Sequence, residues 1–338
     1  MLSASGLGAI VLGILQSSSW GLVEPKDSPI APLGFSLSLW MVVGGALLLY
    51  AFVRWQRHRE ATGQDPLVHL DLLKIPPLLS GLINLLSQNL ILMGVFFVIP
   101  LYLQLVLGLD ALETGIKMLP VSITMFITSV LGSRLSLRYS VRTIIRAGLT
   151  IDALAVLVLT ASIDPTLSGV VFSAGMALLG VGMGLLASQL GNVVQSSVDA
   201  SGRSEAGGLQ YTAQQLGSSL GVALIGAIVI VGLTGNFLSN IEDDPRISEQ
   251  IEAGVTVAID GSVEFVATSD VATALEQSGL DDDTATALVE SYESAQIQAL
   301  KTGLLVAGIL ALLTLMFTGN LPSKRPEAAE ASAGAVAS

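Results

Sequence analysis

Seven stretches of this sequence contain no Asp, Glu, Lys, Arg or His: residues 1–23, 28–53, 75–109, 118–133, 165–198, 206–241 and 302–323. An eighth, 147–163, is interrupted only by Asp152. A bilayer core about 30 Å thick is crossed by roughly 20 helical residues. Most of these runs are therefore long enough to span, and the two shorter ones gain length from flanking residues that snorkel. Inside lipid the backbone must satisfy its own hydrogen bonds, so runs of this length form helices. Composition agrees: mean hydropathy is +0.72 and charged residues make up 12%, against about a quarter in soluble domains. The expectation is an all-α integral membrane protein with eight transmembrane helices near 5–22, 32–53, 77–106, 114–135, 143–162, 167–190, 210–235 and 299–319.

The first run has no basic n-region and closes in SSSWGL, with Trp20 placed as an interfacial anchor. It reads as a span rather than a cleaved leader. Cysteine is absent, which excludes disulfides and thiolate metal sites. HExxH and Walker signatures are missing too, and GVGMG (180–184) lies inside an apolar run with no preceding strand. A dinucleotide loop needs that strand, so the glycines read as a helix-packing surface. The chain is expected to be no enzyme, with no cofactor, no metal and no nucleic-acid partner.

Alternate loops differ sharply in charge. Residues 54–76, 134–146, 191–209 and the tail hold eleven Lys and Arg, including Arg138 and Arg142. The other loops hold Lys26, Arg246 and Lys301, with Lys117 at a membrane edge. The positive-inside rule then places both termini in the cytoplasm of a multi-pass cell-membrane protein. Residues 236–297 carry fourteen acidic residues against Arg246 alone and read as an acidic extracytoplasmic insertion. Within it, VTVAIDGSVEFV (255–266) has the alternation and Asp-Gly turn of a hairpin. DDDTATALVESYESAQIQAL (281–300) reads as an acid-capped helix entering the last span. Its three aspartates lack the ligand spacing of an EF-hand loop. Residues 61–76 form a cytoplasmic amphipathic linker, and 321–338 have the composition of a disordered tail.

The stretch IPLYLQLVLGLDALETGIKMLP (99–120) carries Pro100, Tyr102, Gln104, Gly108, Gly115 and Pro120 in an order that resembles the fourteen-helix drug–proton antiporter family of the major facilitator superfamily. Trp20–Gly21, PLVHLDLL (66–73), RLSLRYSVRTIIRAGL (134–149) and EAGGLQYTAQQLGSSLGVALIG (205–226) resemble further parts of that family in the same sequence order. In the basic loop, Leu137 and Ser140 stand where the family pattern has an acid and a glycine. The resemblance begins at the family's seventh helix and covers nearly all of 1–320. It implies two linker helices (1–60), then a C-terminal six-helix bundle (77–235 and 298–320) made of two inverted three-helix repeats. It also implies proton-coupled efflux of small lipophilic or cationic compounds, with Arg138 and Arg142 in a cytoplasmic gating loop. Since the resemblance lacks the family's first six helices, the chain alone is expected not to transport. An N-terminal half or a homodimer partner would complete it, unless the reading frame is truncated. The alternative is a non-transporting membrane sensor or interaction protein that uses the acidic outer segment.

The residues themselves nominate candidates. Helices in lipid associate through small residues and interhelical hydrogen bonds, so Gly180, Gly184, Gly217 and Gly221 are expected at helix contacts, either as static packing or as smooth faces that move. Asn84 and Gln88 stand four apart on one helix face. An unsatisfied amide in hydrocarbon is costly, so that face meets either a neighbouring helix or a substrate cavity. Gln104 is a further cavity candidate, or a brace for the Pro100 kink. Asp152 lies six residues past Arg146, about 9 Å deeper along the helix. A mid-membrane charge costs about 2.5–3.5 kcal/mol on insertion scales. Asp152 is therefore a coupling candidate, or the partner of an arginine such as Arg146 or Arg142.

Overall fold

The computed structural model describes residues 2–26, 28–62, 69–165, 167–248, 251, 255, 265–277 and 280–323. Among the described residues the chain is helical, without strands. In order come α1 (Leu2–Leu15), α2 (Ser17–Trp20), α3 (Leu37–Ala61), α4 (Pro76–Leu101), α5 (Ala111–Leu135), α6 (Val141–Ser162), α7 (Gly169–Ser196), α8 (Arg203–Glu242), α9 (Thr268–Glu276) and α10 (Asp282–Thr314). Seven helices among the described residues, α3 to α8 and α10, are long and apolar enough to cross a membrane. The remaining expected span begins as α1, whose 14 residues reach about 21 Å; Gln16, with helical dihedrals and its N–H on the Leu12 carbonyl at 2.9 Å, leads into the single turn α2.

The boundaries follow local chemistry. α4 opens on Pro76 and Pro77, where missing N–H groups cost nothing. The acidic patch of the 99–120 stretch is a capping box: Asp110 accepts from the Glu113 backbone at 2.8 Å, and Glu113 accepts from the Asp110 backbone at 3.1 Å. Ser140 and Asp281 cap α6 and α10 through the backbone N–H groups of Thr143 and Thr284. At Pro100 the helical ladder cannot continue, and the next turn widens into a π-turn, Tyr102–Val106, closed by Leu107 N–H on the Tyr102 carbonyl at 3.1 Å. Gly108, at φ +66°, then takes the left-handed conformation that reverses the chain.

Packing sets the helices in two layers. α5, α7, α4 and α8 form a row in which each touches the next. Behind it, α6 packs on α7, α10 packs on α8 and α4, and α6 meets α10. α1 pairs with α3 and also touches α8. Within the row, α4 and α8 run parallel, as do α5 and α7, and both pairs use one device. Side-chain carbons at Gly217 and Gly221 would collide with the carbonyl oxygens of Leu86 and Leu90. At Gly180 and Gly184 they would collide with those of Val121 and Met125. Glycines four apart thus bring two backbones into direct contact, as small residues do at membrane helix interfaces.

The bundle has a basic end, where α5 finishes and α6 and α8 begin (Arg134, Arg142, Arg203), and an acidic end. At the acidic end the spans overrun the expected boundaries at 235 and 299. α8 has 40 residues and α10 has 33, about 60 and 50 Å, so their ends continue together past a 30 Å core. The Phe237 and Tyr292 rings meet edge-on, centroids 5.4 Å apart. Asn240 Nδ2 donates to the Ser291 carbonyl at 3.0 Å. α9 docks here through Thr268 Oγ1 on Gln296 Oε1 at 2.8 Å. Most of the expected hairpin (256–264), the middle of the linker (63–68) and the tail from 324 lie outside the described residues.

Candidate functional site: a polar layer at mid-bundle

The layer is organised by Gly180-Val181-Gly182-Met183-Gly184 at the centre of α7. A helix turns about 100° per residue, so 180 and 184 share one face and 182 looks the other way.

Toward α5, Gly180 and Gly184 lie beneath Thr124 and Thr128. Thr124 Oγ1 is shared between the carbonyls of Pro120, 2.8 Å, and Ala177 across the interface, 2.9 Å. Thr128 Oγ1 is shared between those of Thr124, 2.6 Å, and Gly180, 3.2 Å. Further toward the basic end, Gln189 Nε2 donates to the Gly132 carbonyl at 2.9 Å.

Toward α4, Gln88 Nε2 donates to the Met183 carbonyl at 3.2 Å. Asn84, one turn away, is fully buried. Its Nδ2 donates to its own helix at Ser80 O, 2.8 Å, and its Oδ1 has no partner among the described residues. Both amides are therefore enclosed between helices in this packing, whereas Gln104 is exposed. The brace at the Pro100 kink is instead Tyr102, fully buried, whose hydroxyl donates to the Asp164 carbonyl at 2.7 Å.

Toward α6, the Asp152 carboxyl lies over Gly182. A side-chain carbon at Gly182 would fall 2.6 Å from Asp152 Cγ. Asp152 is fully buried, and neither carboxyl oxygen has a partner among the described residues. The pairing expected with Arg146 or Arg142 is not formed: both arginines turn instead to the 3-10 turn that follows α10, Leu315–Asn320, and its cap Leu321. Arg142 Nε and Nη2 grip the Leu321 carbonyl at 3.0 and 2.7 Å, and Arg146 Nε donates to Thr318 Oγ1 at 2.8 Å. The Ser80 hydroxyl donates to the Phe317 carbonyl beside them. Cations on carbonyls at a helix C-terminus complement its dipole, so this corner of the bundle is a clasp. Arg138, the other loop arginine, is exposed.

Of the nominated residues, Asn84, Gln88, Asp152, Gly180 and Gly184 converge on or beside α7, Gly217 and Gly221 form the α8 seam, and Gln104, Arg138 and Arg142 lie elsewhere. Sequence reasoning missed Thr124, Thr128 and Gly182. The four-residue spacing of the threonines, on a run opposite another glycine pair, was the available signal. Another tie lies at the basic end: Glu205 accepts from the His69 backbone at 3.0 Å and meets its Nδ1 at 2.8 Å. Among the described residues, no three His, Cys, Asp or Glu side chains group as metal ligands.

Seven helices among the described residues that are long and apolar enough to cross a membrane, joined through glycine seams and a buried polar layer, define a multi-pass membrane protein. The Major Facilitator Superfamily profile matches residues 1–222, and the chain belongs to that superfamily. It is 28% identical over 208 residues to a probable actinorhodin transporter of Streptomyces coelicolor, covering 60% of this chain and 36% of that protein. It is 28% identical over 279 residues to the multidrug efflux pump LfrA of Mycolicibacterium smegmatis, covering 82% and 50%. To the methyl viologen resistance protein SmvA of Salmonella typhimurium it is 30% identical over 199 residues, covering 57% and 39%. The chain thus spans half or less of the length of these relatives.

Proposed function

We propose that this chain forms the C-terminal part of a fourteen-helix, proton-coupled efflux transporter of the cell membrane. In this reading eight helices cross the bilayer, both termini are cytoplasmic, and the basic end faces the cytoplasm. α4–α6 and α7, α8 and α10 are two inverted three-helix repeats. The matched glycine seams, α4 with α8 and α5 with α7, support that pairing, because exchanging the repeats exchanges the seams. The substrates are small lipophilic or cationic compounds, in keeping with the actinorhodin transport, multidrug efflux and methyl viologen resistance named for the relatives.

The observation that carries the reading is Gln215. It is exposed on α8 within the span, with Ser219 one turn further on also exposed. A glutamine amide is not left facing hydrocarbon; it meets protein or water. We infer that a second bundle, from an N-terminal half or a partner copy, closes over this side. The substrate passes between the two bundles as they rock. Reconstitution tests this. The chain in proteoliposomes should move ethidium against a gradient only when co-reconstituted with a six-helix N-terminal half or when it dimerises. Gradient-driven efflux by the monomeric chain alone would overturn the two-bundle reading.

A further inference from the structure

We propose that Asp152 is a proton-exchanging switch whose ionisation is coupled to separation of α6 from α7. The carboxyl is fully buried at the α6–α7 contact, lies over Gly182, where a side-chain carbon would collide with it, and has no hydrogen-bond partner among the described residues. Among the described residues no opposite charge compensates it. On α6 itself the charged groups are Arg142 and Arg146, both committed to the turn that follows α10 and its cap. α7 carries no ionisable residue between 169 and 196, and α10 with its following turn carries none between 302 and 320. A carboxylate enclosed in this way bears a large desolvation penalty with nothing to offset it. Ionisation and this close packing therefore exclude each other: the proton leaves to water only when the helices part, and its return allows them to close. Gly148 makes the same contact close: a built side-chain carbon there would fall 3.0 Å from the Gly182 carbonyl oxygen and 3.1 Å from Leu186 Cγ.

The coupling of this switch to export rests on the transport reading, whereas the link between ionisation and helix separation does not. The cysteine-free chain makes the second point testable by itself. Leu186→Cys, buried in the α6–α7 contact, is placed in the full chain with Asp152 and, separately, with D152N, and labelled with a maleimide across a pH series. The ratio of labelling rates between the two backgrounds cancels the reactivity of the thiol. It should rise with pH by about tenfold per unit through the titration, because opening then follows one proton. A flat ratio overturns the proposal. As a second arm, D152N in the completed transporter should lose the pH dependence of ethidium efflux while retaining downhill ethidium exchange, and D152E should keep a pH dependence. A D152N efflux profile that matches the unsubstituted protein overturns the coupling role. Absence of any efflux alongside a rising labelling ratio overturns the transport reading while the switch stands.

Discussion

Gly182 leaves the space that the Asp152 carboxyl fills, and the next residue, Met183, offers its carbonyl to Gln88 at 3.2 Å. Two successive residues of α7 thus receive one polar side chain from α6 and one from α4. Glycines at 180 and 184 admit the third neighbour, α5. The centre of the bundle is specified by backbone access at α7 rather than by large side chains.

Steric access makes the glycine seams the first place to test. Gly217→Ala and Gly184→Ala each push a methyl into a facing carbonyl and should destabilise the protein by about 1–3 kcal/mol, as overpacking does. Gly115→Ala meets nothing within 4 Å and should stabilise by roughly 0.5–1 kcal/mol through helix propensity. Thermal unfolding in detergent reads both signs.

Arg142 holds the Leu321 carbonyl with two donors, a geometry that lysine does not reproduce. Arg142→Ala should lose about 1.5–3 kcal/mol of local stability, the range for hydrogen bonds to charged groups. Hydrogen exchange should then quicken at 315–323, while the exposed Arg138→Ala leaves it unchanged.

At the kink, Tyr102→Phe removes the hydroxyl bonded to Asp164. The expected loss is about 0.5–1.5 kcal/mol, visible in thermal melts, with Gln104→Ala within error of the parent.

The acidic end should respond to pH. Hydrogen bonds from the Arg246 side chain, then from its backbone, hold the Asp244 carboxyl below its ordinary value of 3.8. The Thr284 backbone N–H does the same for Asp281. Each carboxyl binds fewer protons folded than unfolded near its titration, so its contribution is complete above the unfolded value and is lost as pH falls through the lowered folded one. Protection of 241–247 and 282–288 in hydrogen exchange should therefore hold down to about pH 5 and fall below about pH 4. D244N should weaken it at neutral pH and blunt the acid response.

The spans were legible because an uncharged run of sufficient length is a property of one segment, and seven of them appear as helices. The cap at Asp281 was legible for the same reason, since its partner Thr284 lies three residues away. The layer was not. Gln88 and Met183 are 95 residues apart, and their meeting depends on the register between α4 and α7, which no local pattern encodes. The brace at the Pro100 kink was expected at Gln104, but the π-turn buries Tyr102 and leaves Gln104 exposed, an outcome that no local pattern announces. Arg146 was available to Asp152 by spacing alone, but the carbonyls and hydroxyl just after α10 lie closer to the interface, where a guanidinium stays hydrated.

The projecting ends of α8 and α10 act as a lever. With about 38 Å of helix between Gly217 and Glu242, a 10° tilt at Gly217 carries Glu242 sideways by about 6.5 Å. A reporter dye fixed near Asn240 would therefore register small rearrangements deep in the bilayer as large displacements in water.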